Sequence, residues 1–238
     1  AGLGTFGSFT STTSATQAVS TGKVVIGLTQ HGTAGTTVAA ANLVPGDTVQ
    51  RAVTLTRSRD TAAFGRFRED LIARFPSSSV RLSDRIVRVS LLLPVGPRTI
   101  ETLRPLAESM VKSFAEVQAA KDEINTSWHA LAIALWEYRQ GNFVDAVTWS
   151  RRSLSYPGGA GAPRTAMARS VLAMAYTELE LPDEAHRELE LSRELVAAKY
   201  QNRLERGSPL NGFWFDWAFA RILLHEAAVA IESPPATR

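Results

Sequence analysis

The chain contains no cysteine, which excludes disulfides, thiolate metal ligands and a cysteine nucleophile. It also lacks an apolar run of the roughly 18 residues that a membrane-spanning helix needs, so we expect no membrane span. The chain also has no large excess of positive or negative charge, because 26 basic residues are nearly balanced by 23 acidic ones and the net charge is only +3. So small a net charge gives no reason to expect a nucleic-acid partner.

Histidine is scarce and scattered. The four histidines lie in different predicted elements, and none has the HxxxH or HExxH spacing of a zinc site, which needs several converging ligands. The Gly-rich segment 31–37 lacks the GK[ST] ending that holds a phosphate group. The many Ser and Thr residues of the first segment have no plausible partnering base. We therefore expect no metal site, no cofactor and no enzyme activity.

Residues 1–56 differ in composition from everything that follows. They are rich in Ser, Thr and Gly, whereas charged residues are frequent after Arg57. This change predicts a domain boundary, with a β segment over 1–56 and a helical domain over 57–238. Because the chain begins with Ala1 and not with Met, we expect a processed chain or a fragment.

Two stretches of the first segment have the character of strands. Residues 21–28 are rich in Val and Ile, and residues 49–56 alternate with a period of two. Pro45-Gly46-Asp47 lies between them and predicts a turn. We expect a short β-hairpin-like unit with unpaired edges, because two or three strands alone are marginally stable unless another element covers them.

The remaining chain predicts eight helices. Apolar residues recur at helical spacing, as in the face formed by Phe64, Phe67 and Leu71. Asp60 and Ser83 are the predicted N-caps of the first two helices. The last helix, rich in aromatic and aliphatic residues, would close the array. The predicted ranges are 61–75, 84–93, 99–117, 126–140, 143–155, 163–180, 183–199 and 213–231.

The stretch from Trp128 to Lys199 predicts two consecutive helix pairs with matching patterns. Gly141 would end one helix of the first pair, whereas the second pair has Glu180 at the turn. Small residues would lie where two helices cross, because short side chains allow a close approach. These residues are Ala134, Ala146, Ala173 and Ala185. The sequence therefore predicts a mainly α fold, an α-solenoid or open bundle of helix pairs preceded by the β segment.

Two motifs in this stretch carry a family resemblance. WEYRQGNFVDA, residues 136–146, resembles the middle of a tetratricopeptide repeat, and LAMAY, residues 172–176, resembles its first helix. More widely, residues 64–232 are similar to the repeat region that follows the kinase domain in large planctomycete serine/threonine protein kinases. The segments that carry this similarity are SLLLPV, ALWEYRQGNFVDAVTWSRRSLSYP and GFWFDWAFARILLHEAAVAI. The sequence departs from the repeat family at Glu137 and Ser150, where aromatic residues are usual.

The resemblance implies a tetratricopeptide-like array in which the concavity of the helix pairs binds a protein or peptide. The expected function is a non-catalytic protein–protein interaction scaffold, in a cytoplasmic setting. An alternative is a regulatory or docking region of a serine/threonine kinase. The catalytic domain would then be absent here, because the chain has no Gly-rich loop followed by a strand lysine, no HRD-type loop and no DFG motif.

A second resemblance covers the first segment. GLGTFGSFTSTTSATQAVSTGKVVIGL and NLVPGDTVQRAVTLT look like the mature N-terminus and first strands of the camelysin and TasA family of secreted β-sandwich proteins. It implies a partial sandwich and, as a further alternative, a secreted surface or biofilm-matrix protein, with a peptidase-like activity as one form of that alternative. Two resemblances that meet near Thr56 are consistent with a chimera, a fused gene fragment or a misassembled reading frame.

Four residues are the candidate partner-binding positions. Tyr138 and Arg169 would lie on the concave side of the helix pairs, while Trp214 and Trp217 would be interface anchors or, as the alternative, core residues. Asp216 could pair with Arg221 to orient the last helix.

A basic strip for an acidic peptide is a further interpretation, with a solvated charged face as its alternative. Its residues are Arg151, Arg152, Arg164 and Arg169. The sequence indicates neither the identity of the partner nor the oligomeric state.

Overall fold

The structure is a computed structural model that describes residues 15–19, 22–26, 38–40, 61–75, 80–156, 161–201 and 214–233. The chain divides into two compact units, Ala1–Arg51 and Ala52–Arg238. The predicted boundary after residue 56 lies outside the described residues and stays a prediction.

The first unit contains three short strands, β1 (Ala15–Val19), β2 (Gly22–Ile26) and β3 (Val38–Ala40). They pair antiparallel in the order β1-β2-β3. The predicted strand 21–28 contains β2. The predicted strand 49–56 and the turn before it lie outside the described residues, so the pairing predicted between 21–28 and 49–56 is not supported. The partial β-sandwich stays a prediction.

The second unit is helical, and this confirms the mainly α fold. All eight predicted helices are present in the described part of the chain, with ends that differ by a few residues from those expected. They are α1 (Thr61–Arg74), α2 (Val80–Ser90), α3 (Pro97–Ala119), α4 (Glu123–Gln140), α5 (Phe143–Leu154), α6 (Gly161–Glu178), α7 (Pro182–Gln201) and α8 (Trp214–Glu232).

The largest error in the predicted helix ends concerns α2. Ser83 was expected to cap this helix, but the helix begins at Val80 and Ser83 is buried inside it, with 1% of its surface exposed. Burial of this turn in the core overrides the local preference of serine for a cap. The helix also ends earlier than predicted, at Ser90, and α3 begins at Pro97 because proline is favoured at a first helical position. Asp60 lies outside the described residues.

The helices form an array in which α2, α4, α6 and α8 make one layer, hereafter the central layer. Each member contacts the next, and α3, α5 and α7 pack against the helices that precede and follow them in sequence. In α4 every residue from Thr126 to Trp136 is buried, so this helix is covered on all of its faces. A helix buried on all sides belongs to the core.

Two turns show that the helix pairs α4–α5 and α6–α7 are equivalent. Gly141 and Glu180 are 39 residues apart, and both have a positive φ, 86° and 58°. In each turn the following residue donates its backbone N–H over 2.9 Å to a carbonyl five residues earlier. These bonds run from Asn142 to Glu137 and from Leu181 to Tyr176. The second pair thus makes the same turn without glycine.

Buried serines repeat the same offset inside the two pairs. Ser153 on α5 donates its hydroxyl to the carbonyl of Ser127 on α4 over 2.9 Å. Ser192 on α7 donates to the carbonyl of Ala166 on α6, also over 2.9 Å. Both members of each bond are shifted by 39 residues, and Ala146 and Ala185 are buried in both pairs, as predicted. The same side-chain link therefore closes each helix pair.

The positive φ of Gly141 leads to a test of the first turn. We expect Gly141→Ala to lower the free energy of unfolding by about 1 kcal/mol, because a Cβ disfavours left-handed backbone even where space is free. The matched control is Gly65→Ala in α1. No atom lies within 4 Å of its added Cβ, so helix propensity should raise stability by about 0.5 kcal/mol. Urea unfolding followed by helix circular dichroism measures both, and changes of the same sign would contradict this account.

Candidate functional site

Tyr138, a predicted partner-binding residue, lies half-buried in the last turn of α4. Its ring centroid is 5.8 Å from that of Phe143 at the start of α5. Burial and, to a smaller extent, the nearby carboxylate of Glu226 on α8 together raise the pKa of its phenol to about 12. The phenol therefore stays neutral at physiological pH and lies close to the C-terminal helix.

Arg169, the second predicted residue, lies on α6 and forms an ion pair with Glu188 on α7. Both side chains are partly buried. This contact ties together the two helices of the second pair. Arg169 thus has a packing role within the array, and its partner-binding role stays a prediction.

Of the two tryptophans, Trp217 has 3% of its surface exposed and packs in the core. Lys199 at the end of α7 places its Nζ 5.9 Å from the centre of the Trp217 ring. This burial agrees with the core alternative. The side chain of Trp214 lies outside the described residues.

The basic strip is not formed as predicted, because Arg164 lies in the core and the other three arginines have hydrogen-bond partners on neighbouring helices. Arg164 is 2% exposed and donates to the backbone carbonyls of Ser153 and Tyr156. Arg151 donates to the Tyr176 hydroxyl over 2.6 Å. Arg152 and Arg169 have partners as well, Gln118 and Glu188 respectively. Spacing in the sequence could not show this, because each partner lies on another helix or in a connecting loop.

Helix α8 occupies a position that links distant parts of the array. It contacts α6 and α7 along its length. Its ion pairs also connect to α2 and α4, which precede it by many residues. The central residues of α4, Thr126 to Trp136, are all buried, so they are covered by the neighbouring helices.

The strongest of these links joins Arg139 on α4 to Glu226 on α8. The guanidinium donates through both Nη atoms to the two carboxylate oxygens, with 2.7 Å between Nη2 and Oε2. Its Nε donates to the carbonyl of Leu91, just after α2, over 3.0 Å. Because the Arg139 side chain is almost fully buried, the pair is shielded from solvent.

Arg88 on α2 makes the second link. It donates to Asp84 one turn earlier over 3.2 Å and lies 4.0 Å from Asp216 on α8. Its guanidinium carbon lies 4.2 Å from the centre of the Trp128 ring on α4. The structure thus places Asp216 beside Arg88, and the predicted pair of Asp216 with Arg221 stays a prediction.

A third arginine, Arg68 on α1, completes what we call the arginine cluster, Arg68, Arg88 and Arg139. Burial and, to a smaller extent, repulsion from Arg139 together lower the pKa of Arg68 to about 10. Its guanidinium carbon lies 4.9 Å from the centre of the Phe64 ring. Its Nε has no hydrogen-bond partner among the described residues. The three buried guanidinium groups are thus balanced by three carboxylates, those of Asp84, Asp216 and Glu226.

Two surface depressions lie away from this cluster. One, of about 330 Å³, lies between the α6–α7 turn and the end of α8, and is lined by Thr177, Glu180, Pro182, Ala185, His186 and Ile231. The other, of about 590 Å³, follows the exposed side of α3.

Within the described ranges, no group of three His, Asp or Glu side chains is placed to hold a metal ion. No described helix is long and apolar enough to cross a membrane.

Sequence reasoning missed the arginine cluster. The spacing of Asp84 and Arg88 by four residues could have revealed one pair, because such residues are neighbours on a helix. The partners Arg139 and Glu226 are 87 residues apart, and no local pattern joins them. In this arrangement the carboxylates of α8 lie against buried guanidinium groups of α2 and α4.

Buried His129 gives a test by pH. The residue is 2% exposed on α4, and burial lowers its pKa below the ordinary 6.5; Asp84 opposes this shift and Arg88 adds to it. Below about pH 6.5 the unfolded chain therefore binds a proton that the folded chain resists, so stability should fall by up to about 1.4 kcal/mol per pH unit. We expect His129→Gln to reduce this slope in urea unfolding. His225→Gln, at an exposed site, is the control, and an equal effect of both would contradict the assignment.

The Arg139–Glu226 pair gives a test of how α8 is held. We expect Glu226→Gln to lower the free energy of unfolding by about 2 kcal/mol, because the buried guanidinium loses its ionised partner. Glu232→Gln removes an exposed pair with Arg193 near the end of the same helix and should cost less than about 1 kcal/mol. Urea unfolding compares the two variants. Equal losses would show that the buried pair holds α8 no better than the surface pair.

Comparisons with protein-family models, with curated proteins and with solved structures find no match. No matched family therefore identifies the candidate site. It consists of two equivalent helix pairs, and of a C-terminal helix whose carboxylates meet a buried arginine cluster.

Proposed function

We propose that the helical unit is a non-catalytic protein-binding scaffold of the tetratricopeptide type. The observation that carries the proposal is the 39-residue equivalence of α4–α5 and α6–α7, in which turns and buried serine bonds recur with the same lengths. Arrays of stacked helix pairs present extended surfaces to other proteins. The resemblance to tetratricopeptide repeats supports the same function.

The accessible surface for a partner is the end of the array that carries the two equivalent turns. Val144 is 66% exposed and Leu181 is 40% exposed, and both follow these turns directly. Tyr138 packs beside the first turn through Phe143. The depression of about 330 Å³ opens at the second turn. Exposed apolar side chains beside a depression fit the anchors of a peptide better than a reacting group.

The alternatives proposed from sequence are weaker. A docking role in a serine/threonine kinase and a role as a secreted surface protein rest on the two resemblances alone. The arginine cluster uses its groups in ion pairs, ring contacts and hydrogen bonds between helices, which is the chemistry of packing. We therefore place binding before catalysis.

A displayed peptide library panned against the full chain tests the scaffold. We expect peptides that bind saturably by fluorescence anisotropy, and at least tenfold weaker binding to Leu181→Asp and Tyr138→Ala, because both change the surface beside the turns. Val111→Asp on α3 is the matched control, since Val111 is exposed to the same degree as Leu181. The proposal fails if no peptide binds saturably, or if binding is lost only in the α3 variant.

A further inference from the structure

We propose that α8 is a built-in occupant of a docking face formed by α6 and α7 and bordered by Arg88 of α2 and Arg139 of α4, and that an acidic amphipathic helix of a partner protein binds this face in its place. This inference rests on the proposed scaffold function and names the chemistry of one partner. It concerns the face beneath α8, which adjoins the turn end of the array at Ile231 and Ala185.

The first argument is the apolar stripe of α8. Ala220, Leu223 and Ala227 are buried and recur at spacings of three or four residues, so they lie on one side of the helix, and buried Asp216 lies one turn earlier on the same side. The opposite side is exposed. Ile231 continues the contact against the cluster of Leu172, Tyr176 and Ala185. This is how an amphipathic helix binds in a groove.

The second argument is charge. Without α8, Arg88 and Arg139 would lose the carboxylates of Asp216 and Glu226, and among the described ion pairs only the one between Arg88 and Asp84 would remain. Asp216 and Glu226 of α8 supply the balancing negative charges, at Arg88 and Arg139. These two acids are ten residues apart, about 15 Å along a helix. An occupant must therefore bring two carboxylates at this separation.

The third argument is the connection. Helix α7 ends at Gln201 and α8 begins at Trp214. The twelve residues between them span up to roughly 40 Å when extended, so α8 can leave the face while α7 keeps its place. A tether of this length holds α8 at an effective concentration on the order of millimolar. A partner helix must compete with this tethered occupant, which makes α8 an autoinhibitory segment.

The test uses the full chain and a fluorescein-labelled peptide of residues 214–232 as the probe. In fluorescence anisotropy we expect weak saturable binding to the wild-type chain, since its own α8 fills the face. Glu226→Gln weakens the tethered helix and leaves Arg139 free for the peptide, so the apparent Kd should fall at least tenfold. A peptide with both acids changed to amides should bind at least tenfold more weakly than the labelled original.

A covalent lock makes the test independent of stability. Arg193 Nη2 and Glu232 Oε1 are 2.7 Å apart on the surface, and the chain has no cysteine. A bismaleimide can therefore bridge the Arg193→Cys/Glu232→Cys variant at one defined place and pin α8. We expect the bridged protein to lose peptide binding, and the single variant Arg193→Cys, treated in the same way, to keep it.

Three results would overturn the inference. They are saturable binding that survives the bridge, no saturable binding to either wild type or Glu226→Gln, and a concentration-dependent dimer of Glu226→Gln without peptide, which would make a second copy the occupant. None of them removes the scaffold function, because library peptides are expected at the turn end, where Leu181→Asp and Tyr138→Ala report on them. If no library peptide bound at the turn end while the 214–232 peptide bound as expected, only the proposal for the turn end would be rejected.

Discussion

The guanidinium of Arg139 is the group on which the arrangement of the helices most depends. A charge taken out of water is costly unless it is paired and fully hydrogen-bonded. Arg139 meets this requirement with the carbonyl of Leu91 and the carboxylate of Glu226. Its partners come from the end of α2 and from α8, so one side chain fixes three helices. If any of them moved, a buried charge would lose part of its coordination.

Two kinds of interaction build the array, and they act over different ranges. Within each helix pair, small residues and a buried serine bond join helices that follow one another in sequence. Between distant helices, ion pairs of buried arginines make the contact specific. The first kind recurs after 39 residues and builds the two equivalent helix pairs. The second kind occurs where α8 meets α2 and α4, and it places carboxylates of α8 against buried arginines.

The sequence predicted the local structure well because helical periodicity and turn residues act over a few positions. The eight helices and the turn at Gly141 follow from such patterns. The turn at Glu180 has the same left-handed backbone although it lacks glycine. Packing of the helix pair can therefore impose a positive φ on a residue other than glycine. Burial decided what the sequence could not show. Arg164 was expected on a basic surface and lies in the core, and the partner of Arg139 is 87 residues away.

Hydrogen exchange of backbone amides under native conditions tests the central claim most directly, because it measures the opening free energy of each helix. If α8 is a separable occupant, its amides will exchange with a lower opening free energy than those of α4 and α6, and Glu226→Gln will lower the value for α8 alone. If the amides of α8 and α4 exchange with the same opening free energy in both proteins, α8 unfolds only with the array. It would then be a permanent part of the core and not the occupant of a docking face.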